Sequence, residues 1–142
     1  MTDIFGQDIK VDERMQVVAS ANGEAVLTVG PETGVQDIRL RLHQYLGSLF
    51  YDRQYGSKLM DWVHDESTQQ SRSALVNEVV RRVRQDPRVK HGSVSGRMAA
   101  WDETTVQVDV SWEFIDEDHA YNLVVVVDGD KKEMVIKDVN PY

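Results

Sequence analysis

The stretch Thr105-Val106-Gln107-Val108-Asp109-Val110-Ser111-Trp112-Glu113-Phe114-Ile115 decides the fold. Successive side chains of an extended chain point to opposite faces. Val106, Val108, Val110, Trp112 and Phe114 therefore share one face, and Gln107, Asp109, Ser111 and Glu113 share the other. One apolar and one polar face predict an antiparallel sheet with its core on one side. Downstream, Tyr121 to Val127 is apolar nearly throughout, which predicts a central strand. Asp128-Gly129 then turns the chain into a last strand, Glu133 to Val139. Upstream, Ser93 to Trp101 alternates more weakly and adds a further strand.

The pattern changes period before residue 93. Leu75, Val76, Val79, Val80 and Val83 lie along one face of a helix, leaving Arg72, Arg81, Arg82 and Arg84 to solvent or a partner. Ser67-Thr68-Gln69-Gln70 has the capping-box pattern at its start, and Pro87 forces its end. Val35, Ile38, Leu42, Leu46 and Leu49 recur at spacings of three and four, predicting an earlier helix that ends near Gly47 to Phe50. Thr33-Gly34-Val35-Gln36 offers it a capping box. Ser57 caps a short helix through Leu59, Trp62 and Val63.

Further upstream, Gln16 to Ala21 and Glu24 to Val29 flank Asn22-Gly23. This predicts a hairpin closed by a type I′ turn, which needs positive φ at both residues. Gly30-Pro31 breaks its second strand, and residues 1–14 are extended or irregular. The fold class that emerges is α+β: an N-terminal hairpin, two main helices plus a short one, and a mostly antiparallel C-terminal sheet. At 142 residues the chain has the length of a single domain, 1–142.

Composition narrows the chemistry. There is no cysteine, so no disulfide, thiolate metal site or cysteine nucleophile. The net charge is −8, and it is unevenly placed: residues 1–101 carry 13 acidic and 13 basic side chains, residues 102–142 carry 11 and 3. An acidic chain is a poor ligand for nucleic acid, which binds through phosphate neutralisation. The start Met1-Thr2-Asp3-Ile4 lacks the basic and apolar blocks of a secretory signal, and the longest apolar run, Leu123 to Val127, is far too short to span a bilayer. No nucleic-acid or membrane partner is expected.

No catalytic, cofactor or metal site is expected either. His43, His64, His91 and His119 are never spaced three or four apart, and no serine sits in a nucleophile elbow. Glycines form no phosphate loop. Carboxylates such as Asp52, Glu66 and Glu78 are plentiful, but nothing selects the pair that glycoside hydrolysis requires. Gln85-Asp86-Pro87-Arg88-Val89 is more informative. An aspartate in a helix's last turn has the wrong sign for the dipole. It is tolerable if it pairs with Arg82 or Arg88, or orients Arg88. Proline gives a sharp exit, and the segment reads either as a helix stop with a local ion pair or as an arginine projected toward a partner.

Four segments in order carry a resemblance: Gly6-Gln7-Asp8-Ile9, Gln36-Asp37-Ile38, Tyr51-Asp52-Arg53-Gln54-Tyr55-Gly56-Ser57 and Asp86-Pro87-Arg88-Val89. Together, over roughly residues 4–127, they resemble the baseplate wedge and sheath-initiator family of contractile phage tails, with baseplate assembly protein W and a type VI secretion baseplate component among its relatives. There are departures. Gly47-Ser48 stands where the family often has Gly-Glu, Arg53 where it often has proline, and Asp86 where its exit motif is Glu-Pro-Arg.

The resemblance implies a structural role in the virion's tail baseplate, assembled in the host cytoplasm. The implied partners are the sheath protein, the wedge core proteins, and the tail tube or hub. Asp86, Pro87 and Arg88 would dock on the wedge core, and an unpaired strand edge would template the first sheath ring. Glu133 to Val139, being last and short with Lys131, Lys132 and Lys137 about it, is the expected edge, with Val135 and Lys137 as contact residues. The alternative is a tail-borne peptidoglycan hydrolase, since family members have been labelled tail lysozymes. Ser48 in place of the glutamate does not support that label here, and zymography on peptidoglycan separates the two.

Overall fold

In the computed structural model, residues 4–12, 15–44, 56, 57, 59, 69–102, 104–128, 131 and 133–138 are described, Gln69 and Asp138 by their backbone alone. Among these residues two helices, α1 (Pro31–His43) and α2 (Gln69–Arg84), precede four strands: β1 (Ser95–Trp101), β2 (Thr105–Glu113), β3 (Ala120–Asp128) and β4 (Glu133–Asp138). The strands form one antiparallel sheet in chain order, β1-β2-β3-β4. The chain is thus α+β.

The alternation read from residues 105–115 holds. Val106, Val108, Val110, Trp112 and Phe114 are buried, as are Tyr121, Leu123, Val125 and Val127 of β3. Met134 and Ile136 extend this face to β4. β2 and β3 are the two central strands, as the apolar run at 121–127 predicted. The helices cover the same face, α2 against β1 and β2, α1 against β4 and α2. Val35, Ile38 and Leu42 of α1 and Leu75, Val79 and Val83 of α2 complete the core. Phe5 packs edge-on against Phe114, with centroids 5.0 Å apart. Gly34 makes room for that pair: a Cβ there would lie 2.7 Å from Phe114 Cζ and 2.9 Å from the Phe5 ring.

Several local expectations are corrected. The Thr33–Gln36 capping box does not form. α1 begins earlier, at Pro31, with Gly30 as its N-cap and no side-chain cap. Proline's fixed φ suits the first helical position. Thr33 and Gln36 are buried and hold the N-terminal segment instead. Thr33 Oγ1 donates to the Gly6 carbonyl (3.2 Å). Gln36 accepts from the Val11 N–H (2.9 Å) and donates to the Ile9 carbonyl (2.8 Å). α1 also ends at His43, short of Gly47, where Gln44 turns extended.

The expected N-terminal hairpin is not built as two regular strands. Residues 9–27 pair through isolated bridges, Ile9↔Leu27, Val11↔Val17 and Ala19↔Ala25. The turn is not type I′, since Gly23 has positive φ (86°) but Asn22 does not. The Gly23 N–H donates to Ser20 O and the Ser20 N–H to Glu24 O, the bonding of a longer loop with one left-handed glycine. Apart from Ser57 and Leu59, the short helix expected over residues 57–63 lies outside the described residues, as do Ser67 and Thr68 of the second capping box. α2 does stop before Pro87. Of its arginines, Arg82 is not turned to solvent: it is buried, with Nε 2.9 Å from Glu78 Oε2 and Nη1 3.4 Å from Gln85 Oε1.

Candidate functional site

The helix exit folds back on itself. The Gln85 and Asp86 N–H groups donate to the carbonyls three residues back, tightening the last turn. The Asp86 carboxylate is buried. Its Oδ1 accepts from the Arg88 N–H (2.9 Å) and from Arg88 Nε (3.0 Å), and its Oδ2 from Arg88 Nη2 (2.7 Å). An aspartate reaches the N–H two residues on as an Asx turn, so the short side chain orients Arg88. Nη2 also meets Asp37 Oδ2 of α1 at 3.0 Å, and the guanidinium lies 5.9 Å from the Phe5 ring centroid.

Arg88 therefore does not project from the helix end. Its side chain is 18% exposed, and it joins the exit of α2, the body of α1 and the N-terminal segment. Hydrogen bonding to Asp86 raises its pKa. Burial raises that of Asp37, with Arg88 opposing. The exposed residue of the motif is Pro87. Nη1 of Arg88 makes no hydrogen bond among the described residues. Val89 ties the exit to the end of β2 through a bridge to Phe114.

The sheet edges follow from bond parity. In an antiparallel sheet a residue's N–H and C=O point to one neighbour, and those of the next residue point to the other. The Glu113 carbonyl accepts from the Lys90 N–H, and the Thr105 carbonyl from the Asp102 N–H, so odd residues of β2 face the β1 side. Even residues of β2 face β3. By the unbroken β2–β3 register, odd residues of β3 face β2 and even ones face β4. Val124↔Lys137, Val126↔Val135 and Asp128↔Glu133 are then the bonded pairs.

β4 is an outer strand, as expected, but Val135 and Lys137 do not offer its free groups. Their main chain is committed to β3, and their side chains lie on the sheet face away from the helices. The outward main-chain groups belong to Met134 and Ile136, whose side chains are in the core. By the same parity, Gly96 and Met98 present the outward groups of β1. The β1–β2 register shifts between Met98 and Ala100, whereas β3–β4 runs unbroken over six pairs.

Sequence reasoning passed over Arg72 and Trp101 as a pair. The Arg72 guanidinium lies 4.9 Å from the Trp101 ring centroid, and Trp101 is 56% exposed. Nothing in their spacing signals this, because the contact joins a helix to a strand. Glu78 is taken up by Arg82, while Glu66 and Asp52 lie outside the described residues. Among the described residues no group of three or more His, Asp or Glu is placed to hold a metal ion, and no helix is long and apolar enough to cross a membrane. Neither the known protein families nor the curated proteins contain a match to this chain.

Proposed function

We propose that this chain is a structural component of a contractile-tail baseplate that templates the first sheath ring by strand addition on β4. The observation that supports this reading best is the β4 edge. It is six residues long, in unbroken register with β3, and unpaired on its outer side among the described residues. Main-chain bonding gives such an edge affinity for an incoming strand. β1, interrupted by a bulge, suits extended pairing less well.

Docking on the wedge core is assigned to the exit motif in a modified form. Asp86 orients, Pro87 is the exposed tip, and Arg88 presents Nη1 from a guanidinium already held in place, so little side-chain entropy remains to be lost. The remaining partners are the sheath protein and the tail tube or hub, in the virion baseplate.

The test is electron microscopy of tails carrying Asp138→Pro. By parity this removes an outward N–H at the end of β4 and leaves the core residues Met134 and Ile136 in place. Complete baseplates that start sheath poorly are expected. Normal sheath on every baseplate would reject β4 as the template.

A further inference from the structure

A groove of about 580 Å³ runs between α2 and β1, at the opposite edge of the sheet from β4. Arg72, Val76 and Asn77 line it from the helix, and Arg97, Met98 and Trp101 from the strand. Among the described residues that line it none is acidic, although the chain carries −8 overall. Its size lies in the range of ligand pockets, roughly 300–1,000 Å³. We propose that this groove binds a short, extended, acidic segment of a partner protein, with one apolar side chain on Val76, Met98 and Trp101 and a neighbouring carboxylate on Arg97.

Three observations carry the assignment. Trp101 stands exposed at the mouth, and exposed aromatics set in pockets dominate interface energies. The Arg97 side chain is 77% exposed and spends Nη2 on Asp109 Oδ2 at 3.2 Å. A guanidinium has five N–H donors in a planar fork, so a carboxylate can be taken by its remaining edge. Finally, Gly96 and Met98 turn their main-chain groups outward beside the groove, and the bulge after Met98 ends that ladder. A bound segment gains a few main-chain bonds there and must be recognised by its side chains. This makes the surface a motif-binding site, unlike the continuous edge of β4, and the inference stands whether or not β4 templates anything.

Arginine and tryptophan also suit single-stranded nucleic acid. The acidic stretch at residues 102–142 opposes a polyanion along its length, whereas a short peptide meets only Arg97 and its surroundings.

The test uses the full chain and fluorescein-labelled, capped heptapeptides alternating glutamate or lysine with valine, read by anisotropy, with an oligothymidylate as the nucleic-acid probe. The glutamate peptide should bind saturably and more tightly than the other two. Arg97→Glu and Trp101→Ala change exposed side chains, and each should weaken that binding about tenfold or more, while Arg97→Glu should gain affinity for the lysine peptide. The proposal is overturned if wild type binds no glutamate peptide, binds the lysine peptide or oligothymidylate equally well, or if Trp101→Ala leaves binding unchanged.

Discussion

Val135→Pro separates the two possible parities of the terminal strand. Val135 pairs with Val126, and the alternation fixed at Glu113 and Thr105 makes this a hydrogen-bonded pair. Proline removes the Val135 N–H and leaves the Val126 carbonyl without its donor. A main-chain group stripped of its partner costs about 1–3 kcal/mol. For a chain of this size each kcal/mol shifts Tm by roughly 2–4 °C, so the melting temperature should fall by about 2–12 °C. Asp138→Pro deletes an N–H that points away from β3, and its cost should stay within about 0.5 kcal/mol. Circular dichroism melts of both variants, with urea titrations at constant m, measure the difference. Equal melting of Val135→Pro and wild type, or a larger loss in Asp138→Pro, would refute the parity argument and return the outward groups to Val135 and Lys137.

Other substitutions probe the packing and the exit motif. Gly34→Ala gains about 1 kcal/mol of helix propensity but drives a methyl to 2.7 Å from Phe114 Cζ, and since Phe114 is fully buried the clash should win, lowering Tm. Arg88→Ala strands the buried Asp86 carboxylate, so it should destabilise the free chain by about 1–3 kcal/mol, and Arg88→Lys, lacking the fork, should not restore it in urea unfolding. His43, its pKa lowered by burial and by Arg39, is protonated more readily in the unfolded chain; stability should fall as pH drops through 6.5 toward its folded pKa, and His43→Gln should flatten that part of a Tm–pH curve. Asp37 has the opposite sign: its raised pKa makes the folded chain hold the proton more tightly, so its contribution is lost as pH rises from 3.8 through the folded value, and Asp37→Asn should remove that loss.

The sheet was legible because burial on one face imposes period two on residues 105–114, and the helical face of Leu75, Val79 and Val83 was legible for the same reason at period 3.6. Local signals fared worse where tertiary partners competed. Thr33 and Gln36 have the spacing of a capping box, but Pro31 starts the helix and the N-terminal segment takes their side chains. Arg82 follows the polar face by pattern, yet Glu78 one turn earlier allows its burial as a pair. At the exit, the residues of Asp86-Pro87-Arg88 left two readings open, and the bidentate geometry shows that the local pair forms, with Arg88 held against the fold and not projecting from it. Residue types in β4 reveal which side chains face the core but not which amides face outward. The latter depends on which neighbouring strand lies on which side, and strand order is absent from any local pattern.

Amide-resolved hydrogen exchange on β4, with and without the sheath protein, tests the central claim most directly. In the free chain the Met134 and Ile136 amides should exchange quickly, because they face outward, and those of Val135 and Lys137 slowly, because β3 holds them. Sheath protein should slow Met134 and Ile136 and leave Val135 and Lys137 as they were. Unchanged exchange at Met134 and Ile136 in a complex that demonstrably forms would contradict strand addition on this edge.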